Sequence, residues 1–494
     1  MLSLFLADEA ATTELGEDLA LAAKTGDCFC LKGDLGAGKS TLARGFLRAM
    51  AKDPALDVPS PTFTLVQSYD LRIPVAHFDF YRLSDPAELD ELGLDEALDT
   101  GIVLAEWPEK GGDRLPKDRI DLAFKTEGTG RRLVISGPDT ALARIRRTLM
   151  IRSFLKDRGY AKVQRHHLTG DASSRCYERV TREDGQGLIL MDSPRQPDGP
   201  PIRDGKSYSQ IAHLAEDIYP FVAIGRYLKS RGFAAPEIYE TDYEHGLMLI
   251  EDLGPEGVLD GDGRPIAERY LESVAALALL HTQPPQRDIP VTDTYTHVIA
   301  DYDRIVMRME TDLLLDWHYP WKQGFVASDD VRSDYAAIWD DLIDQLAKAE
   351  QSLVLRDFHS PNIIWRKNQT GLDRVGIIDF QDAMIGPAAY DVVSIVQDAR
   401  VTVERDLVDA MLAHYCDLRR QAGPFDDDSF RAAFAIMSAQ RACKLNGLWV
   451  RLMQRDQKPH YMKHMPRTLW HLQVAFEHEA LRPLRDWCIK AGII

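Results

Sequence analysis

The chain has 494 residues, 45% of them hydrophobic, and a formal net charge of −18. That length calls for two or more domains, and that apolar content excludes a disordered chain. The negative charge disfavours extensive direct contact with a phosphodiester backbone, so direct nucleic-acid binding is not expected.

Residues 1–150 alternate as an α/β pattern. Asp27–Lys32 reads as a strand with Cys28 and Cys30 on one buried face. It enters Gly33-Asp34-Leu35-Gly36-Ala37-Gly38-Lys39-Ser40-Thr41, a complete G-x-x-x-x-G-K-[ST] phosphate loop, and leaves into an amphipathic helix over Ser40–Met50. Gly33, Gly36 and Gly38 let successive N–H groups turn toward phosphate oxygens of ATP, and the helix start adds its positive end. Lys39 is expected to pair with the β/γ-phosphates, and Ser40 to ligate Mg²⁺. Further strands are predicted at Phe63–Tyr69, Val75–Asp79, Ile102–Ala105, Ile120–Lys125 and Arg132–Ser136. Two acids end such strands: Asp79, a candidate second metal-side acid, and Glu106, a candidate to orient the attacking water. Both also fit as strand-end caps. A basic helical stretch, Thr140–Arg158, holds the predicted junction, with domains at 1–150 and 151–494.

The pattern restarts near residue 160. Val163–His167, Cys176–Val180 and Leu188–Met191 read as an antiparallel sheet, Pro194–Asp204 as an exposed loop, and Tyr208–Ser230 as one helix. The strand Leu247–Ile250 leads into Glu251-Asp252-Leu253-Gly254, and the rest is mostly helical apart from strands around Leu353–Arg356 and Ile363–Asp379. Within it, Asp357 in Leu355-Arg356-Asp357-Phe358-His359-Ser360-Pro361-Asn362 has the spacing to Asn362, and to a downstream Asp379, of a kinase-like phosphotransferase. Asp357 is the expected catalytic base, Asn362 and Asp379 the expected Mg²⁺ ligands, and Asp391 a brace for the catalytic loop. Two departures stand out: Leu355 occupies the usual histidine position, and Leu188–Asp192 lacks the usual ATP-binding lysine. The missing lysine leaves a non-catalytic sugar- or nucleotide-sensing module as an alternative. Met1–Glu9 meets acid too early for a secretory signal, no apolar run spans a bilayer, and the cysteines lack zinc-ligand spacing. A cytoplasmic protein without membrane attachment is expected.

Gly33–Thr41 together with Ser60–Val66, His77-Phe78-Asp79-Phe80-Tyr81-Arg82 and Glu106-Trp107-Pro108 closely resembles the TsaE (YjeE) family over nearly all of residues 1–150. The resemblance implies an ATPase component of tRNA N6-threonylcarbamoyladenosine synthesis, working with TsaB and TsaD proteins, with tRNA contact expected to be indirect. It also implies a switch-like stretch containing Thr62 and a catalytic region containing Glu106 and Trp107.

Gly170–Arg179, Met191–Pro194, Ile250–Gly254, Leu355–Asn362 and Asp379-Phe380-Gln381-Asp382-Ala383 resemble the AmgK sugar kinases of the aminoglycoside-phosphotransferase superfamily, over roughly 150–494. That implies a bilobal α+β kinase-like fold and phosphorylation of N-acetylmuramate and N-acetylglucosamine at the anomeric hydroxyl, in peptidoglycan recycling; the superfamily fold equally allows a kinase for an aminoglycoside or another small alcohol. Gly170 and Ser173 would then belong to a phosphate-covering loop, and Glu251 and Leu253 to the adenine-facing hinge. Arg175 or Arg179 would stand in for the missing lysine. Gln381 and Asp382 are candidates for sugar hydroxyls, and equally for loop-bracing hydrogen bonds. Trp317 is more readily core than sugar platform.

Overall fold

The strand that feeds the phosphate loop lies at the centre of a seven-stranded mixed sheet. The computed structural model describes residues 1–168, 175–197, 199–203 and 205–494. The chain divides into two units, Met1–Asp192 and Ser193–Ile494.

In the first unit the chain runs β1 (Leu2–Leu6), α1 (Glu9–Ala22), β2 (Cys28–Lys32), α2 (Lys39–Ala51), β3 (Val66–Tyr69), β4 (Val75–Asp79), α3 (Glu88–Glu91), α4 (Leu94–Thr100), β5 (Ile102–Glu106), β6 (Ile120–Glu127) and β7 (Gly130–Ser136). The sheet order is β1-β7-β6-β2-β5-β4-β3. β2 is parallel to both β5 and β6, and β4 to β5, so the C-terminal ends of β2, β4 and β5 open on one edge. That edge is where an open α/β sheet binds ligands. The first four residues of β2 are buried, Cys28 and Cys30 included, with their sulfurs 3.9 Å apart. Leu42, Phe46 and Leu47 of α2 and Leu15 and Leu19 of α1 close one face of the sheet.

Helix α5 (Asp139–Asp157) is continuous through residue 150. It leads into the antiparallel ladder β8 (Gln164–Leu168), β9 (Cys176–Thr181) and β10 (Gly187–Asp192), which also belongs to the first unit. A buried ion network secures this ladder to α1 and α5. Asp18 of α1 accepts from Arg152 Nη2 at 2.9 Å and from Arg165 Nη1 at 2.6 Å, and Arg165 Nε donates to Glu178 at 2.7 Å. The Arg165 side chain is 0% exposed and that of Asp18 2%.

The second unit begins with β11 (Pro201–Arg203) and β12 (Lys206–Ser207), which pair inside and just after the stretch expected to be only loop. The single helix expected over Tyr208–Ser230 is two helices, α6 (Tyr208–Ala212) and α7 (Tyr219–Ser230). His213 ends the first in the left-handed conformation (φ 50°), and Pro220 sits in the first turn of the second, where its missing N–H costs nothing. A hairpin follows, β13 (Ile238–Asp242) and β14 (Leu247–Glu251), then α8 (Ala267–His281), β15 (Asp288–Pro290), β16 (Thr296–Val298), α9 (Arg304–Leu313), α10 (Tyr319–Gln323) and α11 (Asp329–Leu346). The catalytic-loop region is framed by β17 (Gln351–Val354), β18 (Ile363–Trp365), β19 (Val375–Ile377) and β20 (Met384–Pro387). Helices α12 (Ala389–Val396), α13 (Arg405–Ala422), α14 (Asp427–Gln454), α15 (Met465–Ala475) and α16 (Arg482–Lys490) complete the unit. Helix α14 runs through its centre. Gly447 is required there, because a Cβ would lie 2.1 Å from the Leu313 carbonyl oxygen at the end of α9.

This is the expected architecture: an α/β P-loop fold followed by a mixed, largely helical phosphotransferase fold. No helix among the described residues is long and apolar enough to cross a membrane.

Candidate active sites

In the first unit, the loop between β2 and α2 carries Gly33, Gly36 and Gly38 at φ of 142°, 76° and 108°, a region that disfavours side chains. A Cβ at Gly38 would also meet Arg131 Nη1 at 2.4 Å and displace that guanidinium. Lys39 opens α2 and is buried. Its Nζ donates to the carbonyls of Gly33 (2.7 Å) and Asp34 (2.9 Å) and lies 3.8 Å from the Trp107 ring centre. Burial pulls its pKa down, against the pull of Glu106, Glu109, Asp79 and Asp34. Trp107 adopts a left-handed backbone (φ 59°), which turns its ring over the loop and against Tyr81, centroids 5.1 Å apart.

The two strand-end acids stand beside this loop. Asp79 ends β4; its Oδ2 accepts from Thr62 Oγ1 at 2.6 Å and Ser60 Oγ at 2.9 Å. Glu106 ends β5; it accepts from Ser40 Oγ at 3.1 Å and lies 3.1 Å from His77 Nε2. Gly36, Gly38, Lys39, Ser40, Thr41, Thr62, Asp79, Glu106 and Trp107 thus line one cleft of about 300 Å³. Asp79 Oδ1 also accepts the Tyr81 N–H at 3.0 Å, the strand-end cap of the alternative reading. Ser60 and His77 are the partners that sequence reasoning did not assign, although both sit in the quoted motifs.

In the second unit, β17 ends at Val354 and the chain enters the catalytic segment through Arg356, whose φ is 67°. Asp391, fully buried on α12, fixes this turn: its carboxylate accepts the N–H of Leu355 (2.6 Å) and of Arg356 (3.0 Å). Burial raises the Asp391 pKa to about 7, in spite of those two bonds. The Arg356 guanidinium is held by Glu310 Oε1 at 2.6 Å, which also takes Lys444 Nζ at 2.7 Å. Glu310 is buried, yet Lys444 and Arg356 overcome the burial penalty and bring its pKa to about 2.

Asp357 follows, its side chain 42% exposed. Partial burial works against its charge, but His359, Lys444, Arg356 and Arg441 outweigh that and hold its carboxyl below the ordinary range. Asn362 Nδ2 donates to the Asp357 carbonyl (2.9 Å) and to Asp379 Oδ2 (3.2 Å), so the three predicted residues converge. Asp379 sits in a left-handed turn (φ 60°) after β19, and Phe380 packs on Phe221 of α7, centroids 4.7 Å apart.

Gln381 and Asp382 make bracing bonds: Gln381 Nε2 donates to Asp379 Oδ1 at 2.8 Å, and Asp382 Oδ1 accepts the Ala215 N–H at 2.7 Å. Glu251 takes Arg366 Nη2 at 2.9 Å, just beyond β18, and Leu253 packs on Gly376 of β19, which places the expected hinge beside the catalytic hairpin. Trp317 packs with Trp449, Leu445 and Met465 as core. Arg175 and Arg179 lie just before and within β9, in the first unit. Gly170 and Ser173 lie outside the described residues.

Comparison with known proteins finds two families in the one chain. The family profile "Threonylcarbamoyl adenosine biosynthesis protein TsaE" matches residues 6–134, and the profile "Phosphotransferase enzyme family" matches residues 113–425. The chain belongs to both families. An N-acetylmuramate/N-acetylglucosamine kinase of Caulobacter vibrioides is 31% identical over 350 residues, covering 68% of this chain and 94% of the relative. The kinase of the same name from Pseudomonas aeruginosa is 29% identical over 314 residues, covering 62% of this chain and 82% of the relative. The tRNA threonylcarbamoyladenosine biosynthesis protein TsaE of Bacillus subtilis is 37% identical over 123 residues, covering 24% of this chain and 75% of the relative. The protein is thus a fusion of a TsaE-like domain with an N-acetylmuramate/N-acetylglucosamine kinase-like domain.

Proposed function

We propose that the protein is a bifunctional ATP-using enzyme: an ATPase component of tRNA N6-threonylcarbamoyladenosine synthesis, and a kinase that phosphorylates N-acetylmuramate and N-acetylglucosamine at the anomeric hydroxyl for peptidoglycan recycling. One observation carries the kinase half. Asp357 and Asn362 of one loop and Asp379 of the next turn meet in one hydrogen-bonded group in a chain aligned with nearly the whole of a kinase of that name.

Both sites suit Mg²⁺, which favours a few hard oxygen donors alongside phosphate oxygens. In the first unit the donors are the Ser40 hydroxyl and the Asp79 carboxylate. In the second they are Asp379 and Asn362, whose Nδ2 is already engaged, leaving its amide oxygen for the cation. When bound, the ion neutralises phosphate charge.

In the kinase half, Asp357 takes the proton of the acceptor hydroxyl as the acceptor oxygen approaches the γ-phosphorus, and Asp391 and Asn362 hold it in place. In the ATPase half, the loop N–H groups and Lys39 grip the phosphates, and Glu106, steadied by His77, orients the attacking water. TsaB- and TsaD-type proteins are the proposed partners of this half, so hydrolysis by the isolated protein is expected to be slow.

Phosphorus NMR of the protein with ATP and N-acetylmuramate tests the kinase half. The expected product is an anomeric sugar phosphate. Nucleotide and sugar binding without transfer would instead favour the sensing module. Loss of the tRNA modification in cells carrying Lys39→Ala tests the other half; full modification would contradict it.

A further inference from the structure

Asp379 is a proposed Mg²⁺ ligand of the kinase half, and two side-chain amides hold its carboxylate. Asn362 Nδ2 donates to Oδ2 at 3.2 Å, and Gln381 Nε2 donates to Oδ1 at 2.8 Å. Asn362 comes from a loop that is itself fixed, since Asp398 Oδ2 accepts both the N–H of Ser360 (3.0 Å) and its hydroxyl (2.6 Å). Gln381 comes from the turn that carries Asp379. The left-handed backbone of Asp379 (φ 60°) bends the chain there and sets the two side chains together.

The residues on either side of Gln381 are anchored independently. Phe380 is buried and packs on Phe221, and the Ala383 N–H closes a turn on the Phe380 carbonyl at 3.1 Å. Asp382 Oδ1 accepts the Ala215 N–H at 2.7 Å. Between these anchors Gln381 is 4% exposed. Its amide has one workable orientation. Reversed, it would set Oε1 against an oxygen of Asp379, and a carboxylate only accepts; Nε2 is the end that can donate. That orientation leaves Oε1 buried with no hydrogen-bond partner among the described residues. A buried acceptor without a donor destabilises the fold, so this amide is set by Asp379 at the expense of its own oxygen. A glutamate of the same length would oppose one carboxylate with another, and a hydrocarbon would offer no donor. A neutral amide holds the ligand without adding charge.

We infer that Gln381 is a positioning residue of the kinase site, which fixes the Asp379 carboxylate for Mg²⁺ and so sets the affinity of the site for its metal. This role rests on the phosphotransferase reading of Asp357, Asn362 and Asp379. A ligating carboxylate that an outer partner already orients has less freedom to lose when the ion binds, which is why such partners tune metal affinity. Gln381 acts here through Asp379 alone and contacts neither nucleotide nor sugar.

The test uses the full chain carrying Lys39→Ala, which weakens the first nucleotide site, with and without Gln381→Met or Gln381→Asn. Methionine keeps the shape and deletes the amide, whereas asparagine keeps the amide on a stem too short for the same bond. A thermal midpoint is taken for each. Mn²⁺ affinity in the presence of ADP is read by electron paramagnetic resonance, and ADP affinity is read separately without metal. The methionine variant is expected to bind Mn²⁺ about 10- to 100-fold more weakly, while its metal-free ADP affinity stays within about threefold of the parent. In turnover of ATP with N-acetylmuramate, its activation midpoint for Mg²⁺ should rise by a similar factor, and saturating Mg²⁺ should restore kcat to within about threefold. Parental Mn²⁺ affinity in the methionine variant would overturn the role, and so would an equal loss of metal-free ADP. Should that variant fail to fold, the asparagine variant decides by the same two affinities. A parent that binds Mn²⁺ with ADP yet phosphorylates no sugar would remove the sugar-kinase reading and leave Gln381 to be judged by the affinities. Full parental turnover with unweakened metal binding in the variant removes Gln381 alone.

Discussion

At the scale of single residues, Lys39 and Asp357 separate the two chemistries. Removing the Lys39 ammonium deletes a charge-assisted contact to phosphate, worth roughly 1.5–3 kcal/mol, so Lys39→Ala should weaken nucleotide binding in the first unit by roughly 10- to 100-fold. Equilibrium titration with a nonhydrolysable analogue measures this, and sugar kinase turnover should be unaffected. Asp357→Asn removes the proposed base and should lower kinase kcat by about 10²- to 10⁴-fold while leaving ATP binding intact. Residues of both sites were legible in the sequence because phosphate chemistry demands fixed spacings: glycines that allow a left-handed loop, and an acid and an amide on one tight turn. What was not legible is what fixes them. Ser60, His77, Glu310 and Asp398 reach their partners from distant segments, and such pairs leave no periodic trace. The Lys39–Trp107 contact is of the same kind, since it depends on a left-handed backbone at Trp107 that no local propensity announces.

At the scale of elements, the phosphate loop and its flanking strand and helix match the pattern of the sequence closely, because burial on both faces imposes a continuous apolar run on β2. The helix expected over Tyr208–Ser230 was legible only in part. Its apolar spacing persists, but a left-handed turn at His213 and the proline entering α7 divide it. The ion network of Asp18, Arg152, Arg165 and Glu178 was not foreseen either, since its members are spread over α1, α5, β8 and β9. Breaking a buried pair from one side leaves a charge without compensation, at about 3–5 kcal/mol. Asp18→Asn is therefore expected to lower the urea midpoint of the first unit well outside experimental error. An unchanged midpoint would mean that water or rearranged side chains take over from Asp18.

At the scale of the whole molecule, acid stability follows from histidines held uncharged. Burial lowers the pKa of His281 to about 3 and of His318, His359 and His471 to about 4. Below about pH 6.5 the unfolded chain binds protons that these folded imidazoles refuse, so stability falls with pH by up to about 1.4 kcal/mol per pH unit for each. Asp391 acts in the opposite sense. Between about pH 4 and pH 7 its folded carboxyl keeps a proton that the unfolded chain releases, so this group favours folding as pH drops. Four groups against one give a net loss, and the urea midpoint of the second unit should be lower at about pH 5 than at about pH 7. Whether one chain carries two separate nucleotide sites can be read from the binding stoichiometry of a nonhydrolysable ATP analogue with Mg²⁺. Two nucleotides per chain are expected in the parent protein, and one in Lys39→Ala at analogue concentrations that fill the parental sites but not the weakened one; a single nucleotide per parent chain would contradict the two-site reading.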